Sequence, residues 1–388
     1  MAPDPKSLAD LEAVVETAKK LLEQLQVFLR EIHESPSTAP TTPLPPAIKP
    51  SASTPEPTPF SIASDSAALI KAHATKLSLL IMNEPFTPSA IMTVVRDLVA
   101  GPIPGLASSV QATDAKVHTV LVRKELAWRA RRVFAELGEM MRAIPTDGKA
   151  LPPSKVQGAA GDGRGSLMVT AVLWKACDDV ITVGKQGVAG YLLNQLEQWK
   201  ELLKDTMDEM KEWGEEEAQD DEDDDDDYDN DNEPENLSGG EDDDGDENSI
   251  AQHQAMLDSL MDSHSVIPAD DPNNIRPRLE TSIKRLRLVI LLFQAIAKRR
   301  VKKLPATLSA NMPERIDEVA KVLSKLPDRF GDLAIAFYDL ETGPIDRAMD
   351  ACFFDAFAVC ELLSRDWYGG RDEFSEWADR FRLEIKKD

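Results

Sequence analysis

Residues 7–32, SLADLEAVVETAKKLLEQLQVFLREI, carry the pattern that decides the fold class. Leu8, Leu11, Val15, Ala18, Leu22, Leu25, Leu29 and Ile32 recur at alternating steps of three and four, and Val14, Leu21 and Phe28 widen the stripe. Side chains at those steps share one face of an α-helix, so the stripe predicts a long helix that buries one side in a bundle. Ser7, with Asp10 three residues on, predicts its start, since each side chain can accept a free N–H of the first turn.

The same period returns along the chain. It predicts a helix through Leu69, Ile70, His73, Leu77, Leu80 and Ile81, a short one from Ile91 to Val99 ended by Gly101-Pro102, and a long one from Val117 to Ile144 stopped by Pro145. Leu167 to Ile181 is apolar on nearly every side and predicts a central helix. Gly184 and Gly187 separate it from a helix through Leu192, Leu196, Trp199, Leu203, Met210 and Trp213. The second half predicts helices at Ala251 to Met261, Leu279 to Ala297, Pro313 to Leu326 and Leu333 to Leu340. One more starts at Pro344, with Ile345, Met349, Cys352, Ala356, Cys360 and Leu363 on one face, and a last runs from Phe374 to Ile385. No alternating run is long enough for a strand of any length. The expected fold is all-α, two antiparallel helical bundles at residues 60–214 and 250–388, joined by a disordered acidic segment at 215–249. An N-terminal bundle helix, residues 1–34, and a Pro-rich linker, residues 35–59, precede them.

Charge is unevenly spread. The 388 residues carry a formal −25, yet residues 215–247 hold 21 Asp and Glu with no Lys or Arg, leaving 44 cations against 48 acids elsewhere. Like charges with few apolar groups cannot bury enough surface to fold, which is why disorder is expected there. Such a segment favours basic protein partners and argues against direct nucleic-acid binding or an anionic membrane. In residues 35–59 nine of 25 are Pro, a composition that removes backbone donors and predicts a semi-extended linker. The longest apolar stretch is read as Leu288 to Ala297, short of the ~20 residues of a membrane span. Met1 to Lys6 shows no secretory pattern, and Cys177, Cys352 and Cys360 lie in apolar runs without a C-x-x-C pair. Reduced thiols of the cytoplasm and nucleus are the expectation.

No catalytic, cofactor or metal residues are expected. His33, His73, His118, His253 and His264 have no metal-ligand spacing. Gly158 to Ser166 lacks both the Lys after its last glycine and the preceding strand of a phosphate loop, so it reads as an interhelical loop. Cys352 and Cys360 sit among Phe353, Phe354, Phe357 and Val359 and read as inert; Asp355 reads as an outward-facing carboxylate or a buried acid. The chain is expected not to be an enzyme. Residues 276–303 hold ten cations against Glu280. Within them Lys298, Arg299, Arg300, Lys302 and Lys303 form either a nuclear-import cluster or a solvated helix end. Ser238, followed by Glu241 and Asp242, is a candidate site for an acid-directed kinase, and the acidic tract is placed to meet the basic helix electrostatically.

Val169 to Asp179 contains Trp174-Lys175-Ala176-Cys177-Asp178, which resembles the Trp-x-x-Cys-Asp signature of the cyclin-D-interacting protein family (GCIP-like). Phe330 to Tyr338 is similar to that family's Asp-Asp-Leu-x-x-x-x-Tyr segment through Asp332, Leu333 and Tyr338. Gly331 stands at the first Asp of that pattern, and Gly184 to Gly187 where a Lys and Asn are usual. The resemblance implies an all-helical adaptor of the cytoplasm and nucleus that binds cyclin D-like proteins or helix-loop-helix regulators and restrains cell-cycle progression or transcription. An acidic chaperone for histones or other basic proteins is the alternative. Trp174, Cys177 and Ile181, at i, i+3 and i+7, are expected to share one buried face as structural residues.

Overall fold

The structure, a computed structural model, describes residues 4–43, 57–157, 165–216, 266–305, 307–309 and 311–386. The described residues form helices and turns with no strand, in two stretches on either side of 217–265. The acidic tract from residue 217, Ser238, the helix expected at 251–261, residues 44–56 of the Pro-rich linker and residues 158–164 of the glycine loop lie outside the described residues.

Eight helices precede that gap: α1 (Pro5–Glu34), α2 (Pro59–Met82), α3 (Pro88–Ala100), α4 (Pro102–Ala112), α5 (Ala115–His118), α6 (Val120–Arg142), α7 (Pro153–Gln157) and α8 (Ser166–Glu215). After it come α9 (Ile275–Arg299), a 3₁₀ turn (Val301–Lys303), α10 (Met312–Leu323), α11 (Leu326–Tyr338), α12 (Thr342–Leu362) and α13 (Glu373–Glu384). The cap of α1 is Asp4, which accepts from the Lys6 N–H with Pro5 in the first turn, rather than the expected Ser7 and Asp10. Proline presets the helical φ where no intrahelical donor is needed, so the helix starts three residues early.

The chain divides into two units that exchange segments. The first comprises Met1–Leu196, Ile296–Lys321 and Arg365–Gly370; the second comprises Glu197–Ala295, Val322–Ser364 and Arg371–Asp388. These limits depart from two bundles read in sequence order at 60–214 and 250–388.

In the first unit α1 packs along α6 and α3, and α2 along α4. The α1 stripe supplies Leu11, Ala18, Leu22, Leu29 and Ile32 to the core. Residues 88–112 are long and apolar enough to cross a membrane by composition, more so than Leu288 to Ala297. Here they form α3 and α4, interrupted at Gly101, with Ile91, Val94, Leu98, Ile103, Leu106 and Val110 fully buried. The helix expected from Val117 to Ile144 is broken at Thr119, whose φ is 74°. Its hydroxyl accepts from the Val122 N–H, and the Asp317 carboxylate accepts from the Val120 and Leu121 N–H groups at 2.7 and 3.0 Å. A cap from α10 thus closes the start of α6. Burial raises the Asp317 carboxyl above its usual value, and the two backbone donors oppose that shift.

The start of the Pro-rich segment is not a free linker. Arg123, 1% exposed on α6, donates to the carbonyls of Pro36, Ala39 and Pro40 at 2.8 to 3.1 Å, and Gln111 donates to Thr42. A guanidinium suits this work because its donors fan out in one plane toward several acceptors.

In the second unit α11 packs on α12 and α12 on α13. Leu203, Met210, Leu286, Phe330, Phe337, Cys352, Cys360 and Phe374 are fully buried. The Arg276 guanidinium reaches the carbonyl of Gly214 at 3.1 Å and that of Ile267 at 3.4 Å. One side chain therefore holds together the two places where the chain enters and leaves residues 217–265.

Candidate interaction site

The resemblance rests on α8, and its neighbours in the first unit fix how it presents its side chains. Thr170 donates to Ser78 at 3.0 Å, and Lys71 donates to both carboxylate oxygens of Asp178 at 2.7 and 2.8 Å. A Cβ on Gly184 would meet the Phe60 carbonyl oxygen at 2.7 Å and Ser64 Cβ at 2.9 Å, so only glycine lets the backbones of α2 and α8 approach there. These pairs run in opposite directions along α2 and α8 and define an antiparallel contact. On α6, Arg129 donates to the Asp179 carbonyl at 2.8 Å and Arg132 lies 3.6 Å from its carboxylate. Of the two glycines expected to break the helix, Gly187 does so, with φ 59° and ψ −162°, while Gly184 stays helical.

This docking buries Leu173, Ala176, Cys177, Val180 and Val183. Burial pushes the Cys177 thiol up to about 12, so it remains an unreactive thiol at neutral pH. Trp174 is different. It is 37% exposed, which corrects its expected place in the core, and Ile181 is only partly buried. The helix is apolar on nearly every side but packed on one, and Trp174 sits roughly 60° round from Cys177, past the edge of the packed arc. Leu167, Ala171, Trp174 and Asp178 follow one another at steps of four and three on one face, and Leu167 and Met168 are also exposed. The result is an apolar strip ending in the Lys71–Asp178 ion pair. An exposed tryptophan beside a fixed carboxylate can anchor a protein partner through area and orient it through charge.

The second signature segment lies in the other unit. The Tyr338 hydroxyl donates to Glu209 at 2.8 Å, and Trp213 packs edge-on to its ring at 5.2 Å. Tyr338 therefore fastens α11 to the last turns of α8. Asp332 is exposed, and a side chain at Gly331 would meet open space, so departure from the family pattern there carries no packing cost.

The basic cluster does not present five cations to solvent. Arg300 is 1% exposed, its carbonyl accepts from the Trp367 indole at 2.8 Å, and Arg315 lies over that indole at 5.0 Å. Lys298, Lys302 and Lys303 are exposed and Arg299 is half-buried. A receptor for extended basic peptides would have to unpack Arg300. Asp355 is neither of the expected extremes; it is partly buried and paired with Arg329 at 2.8 Å. Cys352 donates to the Arg329 carbonyl, and burial pushes its thiol up to about 12. Among the described residues no group of three or more His, Cys, Asp or Glu side chains is arranged to hold a metal ion.

Comparison with known proteins adds two findings. Residues 64–216 match the family model described as "Grap2 and cyclin-D-interacting, N-terminal". An uncharacterized protein of Schizosaccharomyces pombe is 26% identical over 212 residues, 54% of this chain and 54% of its own length, so the chain spans about half of the relative it matches. The matched stretch runs from α2 to the end of α8 and contains the Trp174 strip, the Lys71–Asp178 pair and the glycine contact at Gly184. Over residues 64–216 the chain is similar to the N-terminal region of the Grap2 and cyclin-D-interacting family, which supports the GCIP-like resemblance of its α8 signature.

Proposed function

We propose that the chain is a non-enzymatic interaction protein that binds a cyclin D-like or helix-loop-helix regulator through the exposed strip of α8, and so restrains cell-cycle progression or transcription in the cytoplasm and nucleus. The observation that carries this reading is Trp174. It is a signature aromatic inside the family-matched stretch, yet it faces solvent beside Leu167 and Met168 instead of filling the core. A residue needed only for packing would be buried. The family's description supplies the partner class, and binding would follow the use of an apolar helix face as an anchor.

The test is a binding titration of the full chain with a D-type cyclin. Trp174→Ala should weaken the complex at least about tenfold, as a central aromatic anchor does, while the melting temperature stays near wild type. Unchanged affinity would remove Trp174 from the interface. The second reading, a chaperone for basic proteins, draws on the 21 acids of residues 215–247. Deleting that tract should leave the cyclin complex intact under the first reading and abolish histone binding under the second.

A further inference from the structure

The strap that Arg123 holds ends in Pro40-Thr41-Thr42-Pro43, a stretch with neither helix nor turn. The Pro40 carbonyl accepts from Arg123 of α6 at 2.9 Å, and the Thr42 hydroxyl accepts from the Gln111 side chain of α4 at 2.9 Å. Proline fixes its own φ and biases the residue before it toward extended backbone, so Pro43 favours an extended Thr42. Pro40, Thr42 and Pro43 are exposed. A hydroxyl that accepts one hydrogen bond still has its own O–H to give, and extended backbone with a free hydroxyl is what a kinase cleft takes in. A kinase that closes a dry pocket over the residue after that hydroxyl selects Pro there, because any other residue would bury an unpaired N–H.

The same Pro-x-Thr-Pro spacing occurs once more among the described residues, at Pro85-Phe86-Thr87-Pro88, and there the fold closes it. Phe86 and Pro88 are buried, and Thr87, half-buried at the start of α3, donates its hydroxyl to the Pro85 carbonyl at 3.0 Å. The other described Ser-Pro and Thr-Pro pairs are tied to helix ends: Ser35 closes α1, and Thr58 caps α2 by accepting from the Ser61 N–H.

We infer that Thr42 is a phosphorylation site for a proline-directed Ser/Thr kinase, and that phosphate there releases residues 40–43 from α4. In the transfer the Thr42 Oγ bonds to the γ-phosphorus of Mg-ATP as the bond from that phosphorus to the β,γ-bridging oxygen breaks. ADP leaves, and the hydroxyl proton passes to the catalytic-loop Asp of the kinase. The ester adds about −1.5 to −2 charges at neutral pH. Gln111 lies in the last turn of α4, where the terminal carbonyls carry the negative end of the helix, and Asp114 follows two residues past that end. Both repel a phosphate brought to Gln111. Arg123 is buried and engaged with the carbonyls of Pro36, Ala39 and Pro40, so it would have to let go of the strap to reach the new charge. This site does not rest on the α8 reading, and its test needs no binding partner.

The experiment treats the full chain and its Thr42→Ala variant with a mitogen-activated protein kinase and Mg-ATP, and locates phosphate by fragment-ion mass spectrometry. Phosphate should enter Thr42 at least about tenfold faster than Thr87, since Thr87 reacts only after local opening of α3. Thr42→Ala should abolish phosphate within residues 40–43, which separates Thr42 from its neighbour Thr41. In the phosphorylated full chain the amides of residues 37–42 should exchange hydrogen at least about threefold faster than before treatment. No phosphate at Thr42, or entry at Thr87 as fast as at Thr42, would overturn the site. Phosphate at Thr42 with exchange unchanged would overturn the release.

Discussion

Cys177 and Cys352 set a limit to alkaline stability. Burial raises both thiols to about 12 from a value of 9.0 in the open chain. Between those values the unfolded chain releases two protons that the folded chain keeps, so stability is full below pH 9 and falls as pH rises above it. The slope approaches about 1.4 kcal/mol per pH unit for each thiol. Urea melts at pH 8 and pH 10.5 should show the loss, to which the Tyr191 and Tyr338 phenols, both raised by burial, also add, and Cys177→Ala should reduce it. On the other edge of the same helix, Trp174→Ala should cost under about 1 kcal/mol, whereas Leu173→Ala, fully buried, should cost about 2–5 kcal/mol. Thermal melts of the two variants check this pair. Cys177 was legible from its apolar neighbours. The orientation of Trp174 was not, because a helix apolar on nearly every side has too narrow a polar face, at Lys175, Asp178 and Asp179, to reveal where the packed arc ends.

At the scale of elements, α1 could be read almost to its ends from one stripe, and the break at Gly187 from its composition. The start of α6 could not be read. Its cap, Asp317, lies 197 residues away from the Val120 N–H that it accepts, and no local pattern announces a partner at such a distance. Asp317→Ala should therefore destabilise the first unit by about 1–3 kcal/mol, since two N–H groups of the first turn lose their acceptor. Hydrogen exchange should locate the loss at residues 120–123. Arg123 makes the converse point. A buried arginine in a helical stripe looks like a misplaced charge until the carbonyls of Pro36, Ala39 and Pro40 are brought to it. Arg123→Met keeps the bulk and removes the donors, and limited proteolysis should then cut within residues 35–43 faster than in the parent protein.

At the scale of the whole molecule, the described residues on either side of 217–265 are helical as the expected pair of bundles requires, and what sequence order leaves out is that the first unit also draws Ile296–Lys321 and Arg365–Gly370 from beyond that stretch. Composition marks where a chain is polar, but not which distant segments complete a core. The tie at Arg276, between Gly214 and Ile267, also means that the length of the connection bears little on the fold. Replacing residues 217–265 by about ten Gly and Ser residues should leave the melting temperature unchanged or slightly raised, since each halving of a connection of this kind gains about 0.6 kcal/mol. A chain severed there is the sharper case. Expressed alone, fragments 1–216 and 266–388 should each melt without a cooperative transition, because each lacks residues of both units. Co-expressed, they should reconstitute a single cooperative species. On that outcome the covalent link across residues 217–265 is a convenience for folding at a seam that complementation bridges, and the unit of folding is the pair of halves.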